Sequence, residues 1–271
     1  SRVWMEKVST EARRRYFDIV KDYKQAIEQS TAREKNILQV IERDDNGADY
    51  KRINLAEERL NLASLYLLLN RISLALLGVK NESFLNDARK SCYQSVIFLE
   101  EVVSGYVDVP FSDYGDAHER ISGLDEAERY RLVRKLGFTI EAVEAAFGDN
   151  SKWRWSFVEL EGRFAAVTKN LINMRTLKAG LDPRVDGFEE RMGHLKLAKD
   201  LLRKSADRYR EKYELSTTRI DDFKLAIGYL AALRRIHAML GESGDAESVK
   251  KKAEVWRQKM ESDEKRADGN S

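Results

Sequence analysis

Two prolines in 271 residues constrain this chain more than any other feature. They stand at Pro110 and Pro183, and elsewhere apolar residues recur at helical spacing through long runs with little glycine inside them. A sheet-rich fold of this length would need many turn residues, and they are missing. The apolar share of 42% excludes a disordered chain, and the 35% charged share is that of solvated amphipathic helices. The fold class read from this pattern is all-α: elongated antiparallel helical bundles, two lobes sharing long helices, no sheet.

The helices follow from their stop signals. A first helix is expected over residues 4–43, carrying Trp4, Val8, Ala12, Ile19, Tyr23, Ile27, Ile37 and Ile41, and stopping at Asp44-Asp45-Asn46-Gly47. A second is expected over 50–77 with Gly78 as its left-handed stop, and a third over 83–103 ending near Gly105. Together they make an N-terminal helical bundle, residues 1–104. Residues 105–150 read as a boundary loop and a short helix pair, 125–136 and 139–147, separated by Gly137. A C-terminal long-helix bundle is expected over 151–262, with helices at 152–178 (capped by Ser151), 186–215, 218–240 and 245–262. Residues 263–271 read as a frayed tail. No 34-residue repeat of the tetratricopeptide kind recurs.

Residues 60–79 are apolar over about the length of a membrane span. Asn61, Asn70 and Arg71 interrupt the run, and a guanidinium at mid-span costs roughly 2.5 kcal/mol or more. The expectation is therefore the central helix of a bundle, with no transmembrane segment.

Little in the chain points to chemistry. The single cysteine, Cys92, lies in an apolar run and reads as a small buried hydrophobe. His118, His194 and His237 fall on separate segments, without metal-ligand spacing, a phosphate-binding loop or a nucleophile elbow. Glu42-x-Asp44-x-Asn46-Gly47 imitates half of a calcium loop, but its twelfth position is Ile53, where a bidentate Glu is required. The turn then reads as a helix stop. The expectations are no enzyme, no cofactor and no metal.

Residues 127–147 have the outline of a helix-turn-helix, yet the second helix carries Glu141 and Glu144 and no Lys or Arg, which a polyanion repels. Leu136-Gly137-Phe138-Thr139 with Ala142 and Ala145 also resembles part of a ubiquitin-associated module over about ten residues. The net charge of +2 offers no general attraction to nucleic acid.

Contact surfaces are better supported. Trp153, Arg154 and Trp155 interleave aromatics with a cation, the composition that interfaces favour. Arg13, Arg14 and Arg15 form a basic cluster. Residues 105–150 hold 10 acidic and 5 basic side chains, whereas 184–212 hold 9 basic and 6 acidic, an asymmetry suited to head-to-tail association.

The run from Leu60 to Gly78, Leu-Asn-Leu-Ala-Ser-Leu-Tyr-Leu-Leu-Leu-Asn-Arg-Ile-Ser-Leu-Ala-Leu-Leu-Gly, and the run from Arg89 to Val103 resemble the flagellar coiling protein A family of spirochaetes. The resemblance implies a non-catalytic sheath component that coats the periplasmic flagellar filament and helps set its curvature. It also implies periplasmic location and, as partners, other filament or sheath proteins and the chain itself, with no small-molecule substrate. The alternative from the residues alone is a cytoplasmic helical adaptor or regulator that binds a peptide or nucleic acid through Trp153, Arg154 and Trp155.

Overall fold

A computed structural model describes residues 8–149 and 152–269. Among the described residues there are ten α-helices and no strand, so the fold is all-α. The chain divides into two compact units, one of Ser1–Phe98 with Lys135–Ser151, the other of Leu99–Arg134 with Lys152–Ser271.

In the first unit α1 (Thr10–Arg43) packs along α2 (Ala48–Leu77), followed by α3 (Glu82–Val102). Ser9 starts α1 by accepting a hydrogen bond from the Ala12 N–H at 3.1 Å. Asp44 closes α1, and Gly47 and Gly78 take φ of +66° and +67° at the two ends of α2, the left-handed geometry expected of both. Arg59 on α2 forms a two-pronged pair with Glu34 on α1 at 2.6 and 2.5 Å.

The polar residues inside the apolar α2 run have a structural use. Asn70 Oδ1 accepts from the Asn81 N–H at 2.8 Å, and Asn81 in turn caps α3 through the Phe84 N–H at 3.0 Å. Ser73 donates to the Val79 carbonyl at 2.8 Å. Both side chains therefore close the α2–α3 turn instead of facing a solvent they cannot reach. By length and composition alone α2 is also long and apolar enough to cross a membrane.

The second unit contains α4 (Asp116–Arg120), α6 (Arg154–Asn170), α7 (Leu177–Gly180), α8 (Phe188–Lys212), α9 (Ile220–Met239) and α10 (Ser243–Gly269). Its core is built by Ala165 of α6, Ala198 and Leu202 of α8, Phe223 and Leu230 of α9 and Trp256 of α10. A π-turn, Tyr213–Thr217, leads out of α8, and Thr218 follows with φ +49°, unusual for a β-branched residue.

Three expectations are corrected. The short helix pair at 125–136 and 139–147 is a single helix, α5 (Glu126–Phe147). A mid-helix glycine costs about 1 kcal/mol. Leu132, Val133, Leu136, Ile140 and Val143 form one continuous buried face across Gly137. At roughly 1.5–3 kcal/mol each, they outweigh the glycine. The helix expected over 152–178 stops at Asn170, for reasons given below. The tail expected from 263 is helical to Gly269, and Tyr213 Oη holds Asp263 at 2.7 Å. Trp4 and the Ser151 cap lie outside the described residues.

Candidate functional site

The interleaved aromatics are largely satisfied within the second unit. Trp153 precedes α6, half-buried, with Lys152 Nζ 5.5 Å from its ring centroid. The Arg154 guanidinium stacks over Trp155 at 4.5 Å and pairs with Glu211 at 2.6 Å, while Trp155 packs against the core of the unit. Arg13, Arg14 and Arg15 are exposed on α1 of the first unit, immediately before Tyr16 and Phe17.

That stretch of α1 borders an incompletely covered apolar surface. Tyr16, Val20 and Leu69 form a small buried cluster, and Tyr23, Ile27, Tyr66, Ile72, Leu76 and Phe84 pack on it only partly buried. Phe17 stands edge-on to Tyr16 at 5.5 Å and is 66% exposed. At the same end of α2, Leu74 is 44% and Val79 53% exposed. Aromatic and aliphatic side chains left this open on one end of a helix pair are what a protein contact covers.

In the second unit, side chains far apart in sequence converge on the end of α6. His118, from α4, donates through Nε2 to the Asn170 carbonyl at 2.9 Å. Arg129, from α5, donates to the carbonyls of Leu171 at 3.0 Å, Leu124 at 2.9 Å and Ile121 at 3.3 Å, and to His118 Nδ1 at 2.8 Å. His194, from α8, donates through Nε2 to the Thr168 carbonyl at 2.7 Å. Carbonyls that a continuing helix would bond to its own backbone are thus taken by side chains, and α6 ends there. Burial, and for both rings the nearby Arg129 charge, push the His118 and His194 imidazoles down to about 4.

On the same last turn, Lys169 lines an apolar cavity of about 230 Å³ with Val109, Phe111, Met174, Ile236 and Met239. The residue is 5% exposed, and Nζ lies 5.5 Å from the centroid of the Tyr114 ring. Burial pushes this ammonium down to about 8.

Among the described residues one group could hold a cation. His237, Glu242 and Asp245 place ligand atoms within 4.8 Å of one another. Lys199 Nζ already donates to both Glu242 oxygens, at 2.7 and 3.1 Å, and His237 Nδ1 lies 3.2 Å from the same carboxylate. Lys199 therefore supplies the positive charge there. In the Asp44–Gly47 turn, the Asn46 N–H is bonded by Asp44 and the Asn46 carbonyl accepts from Lys51 Nζ at 2.7 Å, as suits a helix stop.

Two groups escape the sequence reading. Lys169 had a visible signal, a lone cation in the apolar run Phe164–Ile172, whereas nothing near His118 or Arg129 in sequence announces their meeting. Comparison with curated proteins and with solved structures finds no match. The TP0443 family, a Treponema-named family, matches residues 12–264, and the chain belongs to it. Nothing in these comparisons names flagellar coiling protein A.

Proposed function

We propose that this member of the TP0443 family is a non-catalytic assembly protein that works by docking its helical surfaces on protein partners. The observation that carries the reading is the open apolar end of the first unit, where Phe17 stands 66% exposed beside the Tyr16–Val20–Leu69 cluster. The three arginines just before it, Arg13 to Arg15, add a cationic rim of the kind that steers encounter with an acidic surface.

The finer reading is a periplasmic sheath component that coats a spirochaete flagellar filament and contributes to its curvature. The Treponema name of the family and the resemblance of the α2 and α3 runs support it. The adaptor reading has less support, because Arg154 and Trp155 are engaged with each other, with Glu211 and with the core.

Co-sedimentation of the full chain with periplasmic flagellar filaments isolated from a Treponema cell tests both levels. The intact chain is expected to pellet with the filaments, and a Phe17→Ser, Leu74→Ser double variant to stay in the supernatant. Pelleting that the double variant matches removes the apolar surface from the account. No pelleting, with monomeric light scattering at every concentration, removes the assembly reading. Binding to lipid vesicles instead would assign the same surface to a membrane.

A further inference from the structure

The second unit carries a cavity that the docking surface does not use. Val109, Phe111, Met174, Ile236 and Met239 are among its mainly apolar walls, and its volume is about 230 Å³. Two cations reach it. Arg235 already has a partner, Asp108, at 2.7 Å. Lys169 has none: among the described residues its ammonium makes no hydrogen bond or ion pair, the face of Tyr114 lies 5.5 Å from it, and Asp108 and Arg235 act on it only through their charges. Its backbone neighbours offer nothing either. The carbonyls of Thr168, Asn170 and Leu171 accept from His194, His118 and Arg129, and that of Lys169 accepts from the Ile172 N–H at 3.1 Å.

A buried lysine whose ammonium borders an apolar void and makes no ion pair is in a costly state. It is relieved either by losing its proton or by taking a counter-ion. Asp108 favours the charged form from beyond ion-pair distance, and desolvation opposes it more strongly. The walls accept apolar atoms, and the ammonium without an ion pair calls for a negative charge. The volume lies below the roughly 300–1,000 Å³ of drug-sized pockets, which limits the occupant to a small molecule.

We infer that this cavity binds a small carboxylate with an apolar body, a medium-chain or compact aromatic acid, with the carboxylate on Lys169 and the hydrocarbon against Phe111, Met174, Ile236 and Met239. The molecule is a ligand and no bond is made or broken. The site lies wholly within the second unit, so the inference does not depend on the docking surface of the first.

The test uses the full chain with octanoate, 1-octanol and octylamine, read by isothermal titration calorimetry and by the chemical shift of isotope-labelled lysine side chains. One octanoate per chain is expected, at least about tenfold tighter than octanol, as a charge-assisted hydrogen bond supplies. Octylamine is expected not to bind. Lys169→Met keeps the apolar volume and removes the charge, and it should bind octanol while losing the preference for octanoate. Its folding is checked by thermal unfolding, and Lys169→Arg should keep the preference. The inference is overturned by equal affinity for octanoate and octanol, by an octanoate preference that survives in Lys169→Met, or by no saturable octanoate binding up to about 10 mM, the weak end of specific affinity. An octanoate-induced shift at every lysine but Lys169 would overturn it as well.

Discussion

His118 Nδ1 accepts a hydrogen bond from Arg129 Nη1 at 2.8 Å, and both side chains are buried. Arginine has only donors, so Nδ1 must carry the lone pair and Nε2 the proton, which it gives to the Asn170 carbonyl. Neither ring nitrogen has room for a further proton without losing a bond. His194 is committed in the same tautomer by its bond to the Thr168 carbonyl. Together these groups terminate α6 and hold the turn after it, next to the Lys169 cavity.

Acid should therefore loosen the second unit. Both imidazoles sit at about 4, below the ordinary 6.5 they regain on unfolding. Between these values the unfolded chain binds more protons, so stability is full above pH 6.5 and falls as the pH drops towards 4. The loss is on the order of 3–5 kcal/mol between pH 6.5 and 4.5, at about 1.4 kcal/mol per pH unit for each group. Urea unfolding at pH 7 and pH 5 measures it. Equal unfolding free energies at the two values would contradict the buried neutral state of the pair.

Arg129→Met leaves the carbonyls of Leu124 and Leu171 and the His118 lone pair without that donor, while the Ile121 carbonyl keeps the Leu124 N–H at 2.9 Å. Each unsatisfied buried acceptor costs about 1–3 kcal/mol, so the variant should lose at least about 3 kcal/mol. His118 should also titrate higher, because the Arg129 charge is one of the causes that hold it down. An imidazole shift that is unchanged in the variant, followed by NMR, would argue against the contact.

Gly162 shows where helix propensity loses to packing. A Cβ there would meet Tyr209 Cε2 at 2.7 Å and the Tyr229 hydroxyl closer still, and those two rings stack at 5.6 Å inside the unit. Alanine gains about 1 kcal/mol of helix propensity. Displacing two packed rings costs about 1–3 kcal/mol, so Gly162→Ala should lower the melting temperature. A rise would mean that the rings move apart freely.

Cys92 should behave as packing and not as a reagent. It is fully buried on α3, and burial pushes its thiol up to about 12. Iodoacetamide at pH 8 should leave it unmodified in the folded chain and modify it in urea. Rapid native labelling, followed by mass spectrometry, would show that α3 opens on that timescale.

The amino-acid sequence by itself determined the class and most of the punctuation of this protein. Helical spacing of apolar residues with two prolines leaves no material for a sheet, and Asp44, Gly47 and Gly78 act within a few residues of where they stand, whereas α1, expected from residue 4, starts at Thr10, capped by Ser9. Such local effects depend only on backbone geometry and near neighbours, so they are legible in one dimension. The tertiary structure decided what depends on partners distant in the chain. Gly137 stays helical because a buried face continues across it, and α6 stops at Asn170 because His118, Arg129 and His194 arrive from three other helices to take its carbonyls. The same convergence leaves Lys169 buried without a counter-ion, and the packing of α1 on α2 leaves Phe17 open to solvent. Burial and charge pairing are sums over neighbours in space, and those neighbours exist only once the helices have packed.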